Sequence, residues 1–241
     1  MPVKKKRIDL LLVEKGLVKS RHRAKSLIMA GRVKIKDTII DKAGTLINPV
    51  DDIQVKSDDN PFVSRGGLKL DNAIKKIPVD VAGLTCIDIG ASTGGFTDCL
   101  LQNGAAKVFS VDVGYGQLDW KLRQDSRVIV IERTNIRHMP FDAINQQVDL
   151  IVADTSFISL TKVIPPAEKF MRPGTRILAL IKPQFEAGKE KVGKGGVVRD
   201  PAVREQVIEK ISTFFSQNGY LVEQIIPSPI SGPKGNKEYI I

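Results

Sequence analysis

Hydrophobic and polar positions along this chain follow two rhythms. Short apolar runs at 84–89, 108–113, 128–131, 148–153 and 176–181 are each closed by glycine or by polar residues, as strands buried on both faces are. Between them the apolar positions recur at helical spacing. Residues 96–102 form one such stretch, stopped by Asn103-Gly104. Residues 163–171 form a second, with Pro165-Pro166 expected near its first turn. Asp200-Pro201 caps and opens a third, which Asn218-Gly219 stops, and residues 220–226 read as a sixth strand. Strands alternating with helices predict an α/β fold built on a doubly wound parallel sheet.

Ahead of this region the pattern is different. Residues 8–15 and 21–30 read as two short helices, the second opened by Ser20 and closed by Gly31. Residues 33–36, 38–40 and 52–56 then alternate like short strands. The basic stretch 1–7 is expected to stay disordered until it meets a partner. Residues 57–64 read as a linker, after which Arg65-Gly66-Gly67 opens a helix with Leu70, Ala73, Ile74 and Ile77 inward and Pro78 at its end. The expected organisation is a small α+β domain at 1–59, a linker and leading helix at 60–80, and the sheet domain at 81–241. Lys69 reads, from local sequence alone, as an ordinary exposed helix lysine.

Composition narrows the partners. No apolar run approaches the roughly 18 residues of a membrane span, and the basic N-terminus leads into no signal-peptide core, so a cytoplasmic protein is expected. Cys86 and Cys99 form no paired motif and read as small buried hydrophobes; with His22 and His138 the only histidines, no metal site is expected. The net charge of +10 is uneven: residues 1–60 hold 14 Lys/Arg against 8 Asp/Glu, and residues 61–241 hold 23 against 19. Such asymmetry suggests a polyanion-binding module joined to a nearly neutral one, although a basic surface also serves solubility.

The chemistry concentrates in residues 84–114, a strand, a glycine loop, a helix and a second strand ending in Asp112. Such a unit brings a nucleotide-like ligand against bare backbone at a helix N-terminus, with the second-strand carboxylate accepting from ribose hydroxyls. The glycines fall at Gly90, Gly94 and Gly95, not in the Gly-x-Gly-x-x-Gly spacing of a dinucleotide site, and Asp88 lies two residues ahead of the first. An acidic residue there suits a cationic ligand better than a diphosphate, which favours S-adenosylmethionine over a nicotinamide. Thr134 and Asn135, after the third strand, are placed to read an adenine edge or to cap a loop. Asp154 and Lys182 follow the fourth and fifth strands, and ligands in such sheets lie beyond the carboxyl ends of the strands. Residues 187–199, rich in glycine and lysine, read as a mobile loop.

Two resemblances sharpen this picture. Residues 7–56, with the core Ser-Arg-x-x-Ala-x-x-Leu-Ile-x-x-Gly-x-Val, resemble the RNA-binding module named after small-subunit ribosomal protein S-four, departing from it at Lys36-Asp37-Thr38 where Asn-Gly is common. That likeness implies RNA contacts from Arg7, Ser20, Arg21, Arg23, Lys25 and Arg32, joined by Arg65. The remainder resembles the FtsJ and TlyA type of methyltransferase, with its Rossmann-like sheet, on Lys69 in RGGLKL, Asp154 in ADTSF, Lys182 in LIKPQFE and Glu238 in NKEYII.

The resemblance implies methylation of ribose 2′-hydroxyls in ribosomal RNA, with ribosomal RNA or ribosomal subunits as partners and S-adenosylmethionine as cofactor. Lys182 would contact the hydroxyl, Asp154 and Lys69 would be its electrostatic partners, and Glu238 would orient them. The cofactor would meet Asp88, Gly90, Ala91, Ser92, Gly94, Gly95 and Phe96 around its methionine end, Asp112 and Val113 at the ribose, and Thr134 or Asn135 at the adenine, with Asp154 alongside. For a chain ending at Ile241 the implied target is a cytidine of large-subunit RNA. Competing readings are a non-catalytic RNA- or ribosome-binding protein, a membrane-lysing haemolysin (a historical label of the family), a pseudouridine synthase and a nicotinamide dehydrogenase.

Overall fold

A computed structural model of the chain describes residues 5–18, 20–29, 31–55 and 60–241, with the side chains of 22, 23 and 26 outside that set. The chain divides into two compact units, Met1–Pro61 and Phe62–Ile241.

The first unit runs β1 (Lys6–Arg7), α1 (Ile8–Glu14), α2 (Arg21–Met29), β2 (Val33–Ile35), β3 (Thr38–Ile40), β4 (Leu46–Ile47) and β5 (Ile53–Val55). Apolar residues at helical spacing close its core: Ile8, Leu11 and Leu12 from α1 meet Ala24, Leu27 and Ile28 from α2, over Val33, Ile47 and Ile53. β3, β2 and β5 pair antiparallel in that order. Lys36 turns β2 into β3 at φ +53°, where glycine or asparagine would sit with less strain. One expectation needs correction. Lys6 and Arg7 are not a free arm but pair with Ile47 and Leu46 as a two-stranded ladder; residues 1–4 of the expected arm lie outside the described residues.

The second unit runs α3 (Gly66–Lys76), β6 (Thr85–Ile89), α4 (Gly95–Gln102), β7 (Lys107–Val111), α5 (Trp120–Arg123), β8 (Val128–Ile131), β9 (Val148–Ala153), α6 (Leu160–Ala167), β10 (Met171–Ile181), α7 (Pro183–Glu186), α8 (Pro201–Gln217), β11 (Ile226–Pro227) and β12 (Tyr239–Ile240). Its strands form one seven-stranded sheet in the order β8-β7-β6-β9-β10-β12-β11. The five strands from β8 to β10 are parallel, and β12 runs antiparallel to both its neighbours. Strand alternation divides the core into two layers. Leu150 and Val152 face Leu70, Ala73 and Leu100 of α3 and α4. Ile151 and Ala153 face Leu160, Ile164, Ile211 and Phe215 of α6 and α8. Cys86 and Cys99 are free thiols within the first layer.

Four boundaries differ from the pattern-based expectation. The stretch 220–226 is not a strand until Ile226, because β12 takes the free edge of β10 and leaves β11 only the Ile226–Ile240 and Pro227–Tyr239 pairs. Upstream of it, Tyr220 turns its ring onto Phe215 and its hydroxyl onto Glu168, 2.6 Å away. Helix α6 starts early, capped by Ser159 accepting from the Thr161 N–H, so Pro165 and Pro166 fall in its second half. Phe62 to Ser64 are not linker. Phe62 is buried and the Val63 N–H donates to Asp98 Oδ2 at 2.8 Å; residues 57–59 of the expected linker lie outside the described set. Finally, the expected mobile loop is tethered: Val197 and Val198 are buried, the Val198 N–H donates to Asn236 Oδ1 (3.1 Å), and Asn236 Nδ2 donates to the Gly196 carbonyl (2.9 Å).

Candidate active site

Close backbone crossings shape the glycine loop between β6 and α4. Gly90 sits at φ +84°, and a Cβ there would lie 2.9 Å from the carbonyl oxygen of Asp154, so only glycine lets the ends of β6 and β9 come together. Gly94, at φ +95°, heads α4; an added Cβ would stand 2.2 Å from Leu122 Cδ1. At Gly95 it would stand 2.2 Å from Ser64 Oγ, where α3 approaches α4. Gly94 therefore serves packing and lines neither of the two cavities at this end of the sheet. Gly95 serves packing as well, at the edge of the smaller cavity.

Asp88 lines neither of these cavities. It is fully buried beneath the loop, accepting from the Thr97 N–H at 2.9 Å and Thr97 Oγ1 at 2.7 Å, and so stitches β6 to the first turn of α4. Burial pushes its pKa up to about 7, with the Thr97 hydrogen bonds opposing. Strand parity puts position 88 with Cys86 on the face of β6 that α4 covers, so the acidic side chain expected to turn toward a cation is taken up by Thr97.

Two cavities open at the carboxyl ends of the parallel strands. The larger, about 440 Å³, is walled by Gly90, Ser92, Asp112, Val113, Thr134, Asn135 and Phe157. Asp112 takes the Ser92 N–H on one oxygen (2.7 Å) and the Gly114 N–H on the other (2.6 Å), which holds its carboxylate at the rim. The Thr134 hydroxyl donates to the Glu132 carbonyl (3.0 Å), and Asn135 Oδ1 accepts from the Arg137 N–H (3.1 Å), leaving the Asn135 amide nitrogen as a donor for a ligand. The smaller cavity, about 330 Å³, is walled by Arg65, Lys69, Gly90, Ala91, Ser92, Gly95, Phe96, Asp154, Ser156, Lys182 and Gly232. Asp154 borders both. Bare backbone at Gly90, a rim carboxylate at Asp112 and an amide at Asn135 fit an adenosyl group.

The four charged residues singled out from sequence converge here. Lys69, from the first turn of α3, is 7% exposed, so it is not the solvated helix lysine its local sequence suggests. Its Nζ donates to Glu238 Oε2 at 2.7 Å and lies 3.9 Å from Asp154 Oδ2. Lys182, just before α7, ion-pairs with Asp154 Oδ1 and donates to Ser156 Oγ at 3.1 Å. The result is an alternating line, Lys182–Asp154–Lys69–Glu238, in which each cation has an anion beside it. Three residues beyond the sequence-based set complete it. Gln184 Nε2 donates to Glu238 Oε1 (3.1 Å), Ser156 meets Lys182, and Gly232 leaves room for the carboxylate, since a Cβ there would lie 2.1 Å from Glu238 Oε1. Gln184 shares the LIKPQFE stretch with Lys182, which was its only signal; nothing local marks Gly232.

The expected RNA-facing residues divide between the two units. Arg65 heads α3 and its Nη2 donates to the Ser231 carbonyl at 3.2 Å on the edge of the smaller cavity. In the first unit Arg7, Arg21 and Lys25 are exposed and Arg32 is half-buried. Ser20 stands just ahead of α2, its carbonyl accepting from the Ala24 N–H. The Arg23 side chain lies outside the described residues. Among the described residues no cluster of three metal-ligating side chains occurs, and no helix is long and apolar enough to cross a membrane.

Comparison with known proteins agrees with this geometry. The family model for FtsJ-like methyltransferases matches residues 62–241, and that for the S4 domain matches residues 6–53. YqxC of Bacillus subtilis, provisionally named an rRNA methyltransferase, is 48% identical over 100% of this chain and 86% of its own length. The 16S/23S rRNA (cytidine-2′-O)-methyltransferase TlyA of Mycobacterium tuberculosis is 45% identical over 98% of this chain and 88% of its own. A solved structure from Streptococcus thermophilus, provisionally named a hemolysin, superposes with a TM-score of 0.76 at 42% identity, covering 99% of this chain and 88% of that one. A seven-stranded sheet with one reversed strand, a charged line at its carboxyl edge and full-length kinship lead to one assignment: the chain belongs to the FtsJ-like methyltransferases of the TlyA type and carries an S4 domain.

Proposed function

We propose that this protein uses S-adenosylmethionine to methylate a ribose 2′-hydroxyl of ribosomal RNA, at a cytidine of the large subunit, in the cytoplasm. The observation that carries the reading is the position of Asp154. It borders both cavities and ties Lys182 to Lys69, so a cofactor in the larger cavity and a ribose in the smaller one meet at the charged line. Gly90, Ser92, Asp112 and Asn135 hold the cofactor, which when bound supplies an electrophilic methyl group.

The protein's own task is to present a poor nucleophile. A ribose hydroxyl must lose its proton as it attacks; Lys182, pinned by Asp154 and Ser156, orients that hydroxyl, and as it takes the hydroxyl's proton its ammonium passes one of its own to the Asp154 carboxylate. Lys69 and Glu238 hold Asp154 from behind. Holding two reactants in line is itself worth on the order of 7–11 kcal/mol. The S4 unit supplies phosphate contacts through Arg7, Arg21, Lys25 and Arg32, and Arg65 adds one beside the acceptor cavity.

The test is transfer of labelled methyl from S-adenosylmethionine to deproteinised ribosomal RNA and to intact subunits, by wild type and by Lys182→Ala. Transfer that disappears in the variant and leaves a ribose resistant to alkaline cleavage supports the assignment. A wild type that binds the cofactor and methylates no RNA, or a folded variant of near-normal activity, refutes it.

A further inference from the structure

The S4 unit contains a charged group with no part in the methyl-transfer chemistry. Asp9, the second residue of α1, has no solvent exposure and is the only buried polar side chain among the described residues of its unit. Two arginines reach it from outside. Arg7 forks onto it, Nε to Oδ1 at 3.0 Å and Nη2 to Oδ2 at 3.1 Å, and Arg21 Nε donates to Oδ2 at 2.9 Å. Their side chains keep 44% and 50% of their exposure while the carboxylate keeps none. The Arg7 and Arg21 bonds hold the Asp9 carboxyl down at about 2, so it is charged throughout the physiological range.

This asymmetry has a meaning. A buried ion pair is weak evidence of a stabilising device, since an apolar side chain fills such a position as well. A buried anion that takes one edge of each guanidinium and leaves the rest outward instead fixes the direction of two long, rotamer-rich side chains. Arg7 and Arg21 come from different elements, and the carboxylate at the head of α1 is what aligns them. The rotamer entropy of both is then lost on folding and not on binding.

We infer that Asp9 is a positioning residue that pre-organises Arg7 and Arg21 as a two-arginine clamp for the phosphodiester backbone of RNA. The inference rests on the reading of RNA as substrate, and it makes a prediction of unusual sign. Asp9→Asn adds one unit of positive charge to a polyanion-binding face, which by counterion release alone leaves RNA binding unchanged or tighter. Loss of positioning weakens it.

The experiment measures binding of the full chain to deproteinised 23S ribosomal RNA across a salt series, with kcat and KM for methyl transfer in parallel. Asp9→Asn is expected to raise Kd and KM about tenfold, the loss of roughly one charge-assisted contact, with kcat unchanged. In an Arg7→Ala/Arg21→Ala background the same substitution is expected to have no further effect. Arg7→Lys and Arg21→Lys, which keep the charge and lose the fork, are expected to weaken binding several-fold, and they carry the test if Asp9→Asn unfolds the unit. Binding by Asp9→Asn as tight as wild type, an equal loss in the arginine-free background, or unaltered binding by the lysine variants overturns the clamp. Wild type that binds RNA without methylating it defeats the catalytic reading and leaves the binding arms to judge the clamp; wild type that binds no RNA defeats the clamp.

Discussion

Removing one member of the buried line Lys182–Asp154–Lys69–Glu238 leaves the next one stranded, and Lys69→Met measures how much that matters. Glu238 is 2% exposed, with its side chain wholly covered, and its partners are Lys69 at 2.7 Å and Gln184 at 3.1 Å. Met fills the lysine stem and removes the ammonium, so the covered Glu238 carboxylate keeps one neutral donor, Gln184. Breaking a buried pair from one side costs about 3–5 kcal/mol. For a domain of this size each kcal/mol moves Tm by roughly 2–4 °C, so a fall of about 6–20 °C is expected in the transition of the second unit. Lys69→Met/Glu238→Gln, which removes both charges, is expected to recover most of that loss in Tm, while both variants lose methyl transfer. The assay is differential scanning calorimetry of the full chain, with a double-mutant cycle on the two positions. A single variant that melts with wild type, or two effects that add without coupling, would show that the line is a surface feature and that its four residues do not act as one buried unit.

Three further outcomes follow from the geometry. Asp88 titrates near pH 7 when folded and near 3.8 when unfolded, so its contribution to stability is full below pH 3.8 and is lost as pH rises through about 7; the urea midpoint of Asp88→Asn, compared with wild type between pH 4 and 8, is expected to lack that decline. Gly90→Ala places a Cβ against the Asp154 carbonyl at φ +84°, and is expected to cost about 2 kcal/mol in unfolding free energy and to abolish activity, since it parts the two cavities at their junction; a fully active, stable variant contradicts the shared wall. Asn236→Ala removes the Val198 and Gly196 tethers, and limited trypsin digestion is expected to cut faster at Lys189, Lys191 and Lys194 than in wild type.

The alternation of buried strands with helices, the glycine loop and the charged strand ends were all readable in the one-dimensional pattern, because burial on both faces demands continuous apolar runs and tight loops demand glycine. Asp154 and Lys182 were legible for the same reason: strand ends in a parallel sheet open onto the cleft. Lys69 was legible only through its resemblance to known motifs, since a helix lysine between Leu68 and Leu70 has no local mark of burial. Gln184 was marked only by sharing the LIKPQFE stretch with Lys182, and Gly232 and Asp9 carried no mark at all. Their importance depends on what lies opposite them: Glu238 for the first two, and two arginines for the third.

Parity and edges decided the rest. Asp88 looked like a ligand carboxylate by its distance from Gly90, yet the two-residue period of the strand puts it on the face that α4 covers, where Thr97 takes it up. The 220–226 stretch has the composition of a strand and loses its place because β12 reverses into the sheet beside β10. Sequence determines which segments are apolar, which turn and which carry charge, because those are properties of neighbours along the chain. Which carboxylate meets which cation is set by contacts between residues as far apart as Lys69 and Glu238, and only the folded chain brings those together.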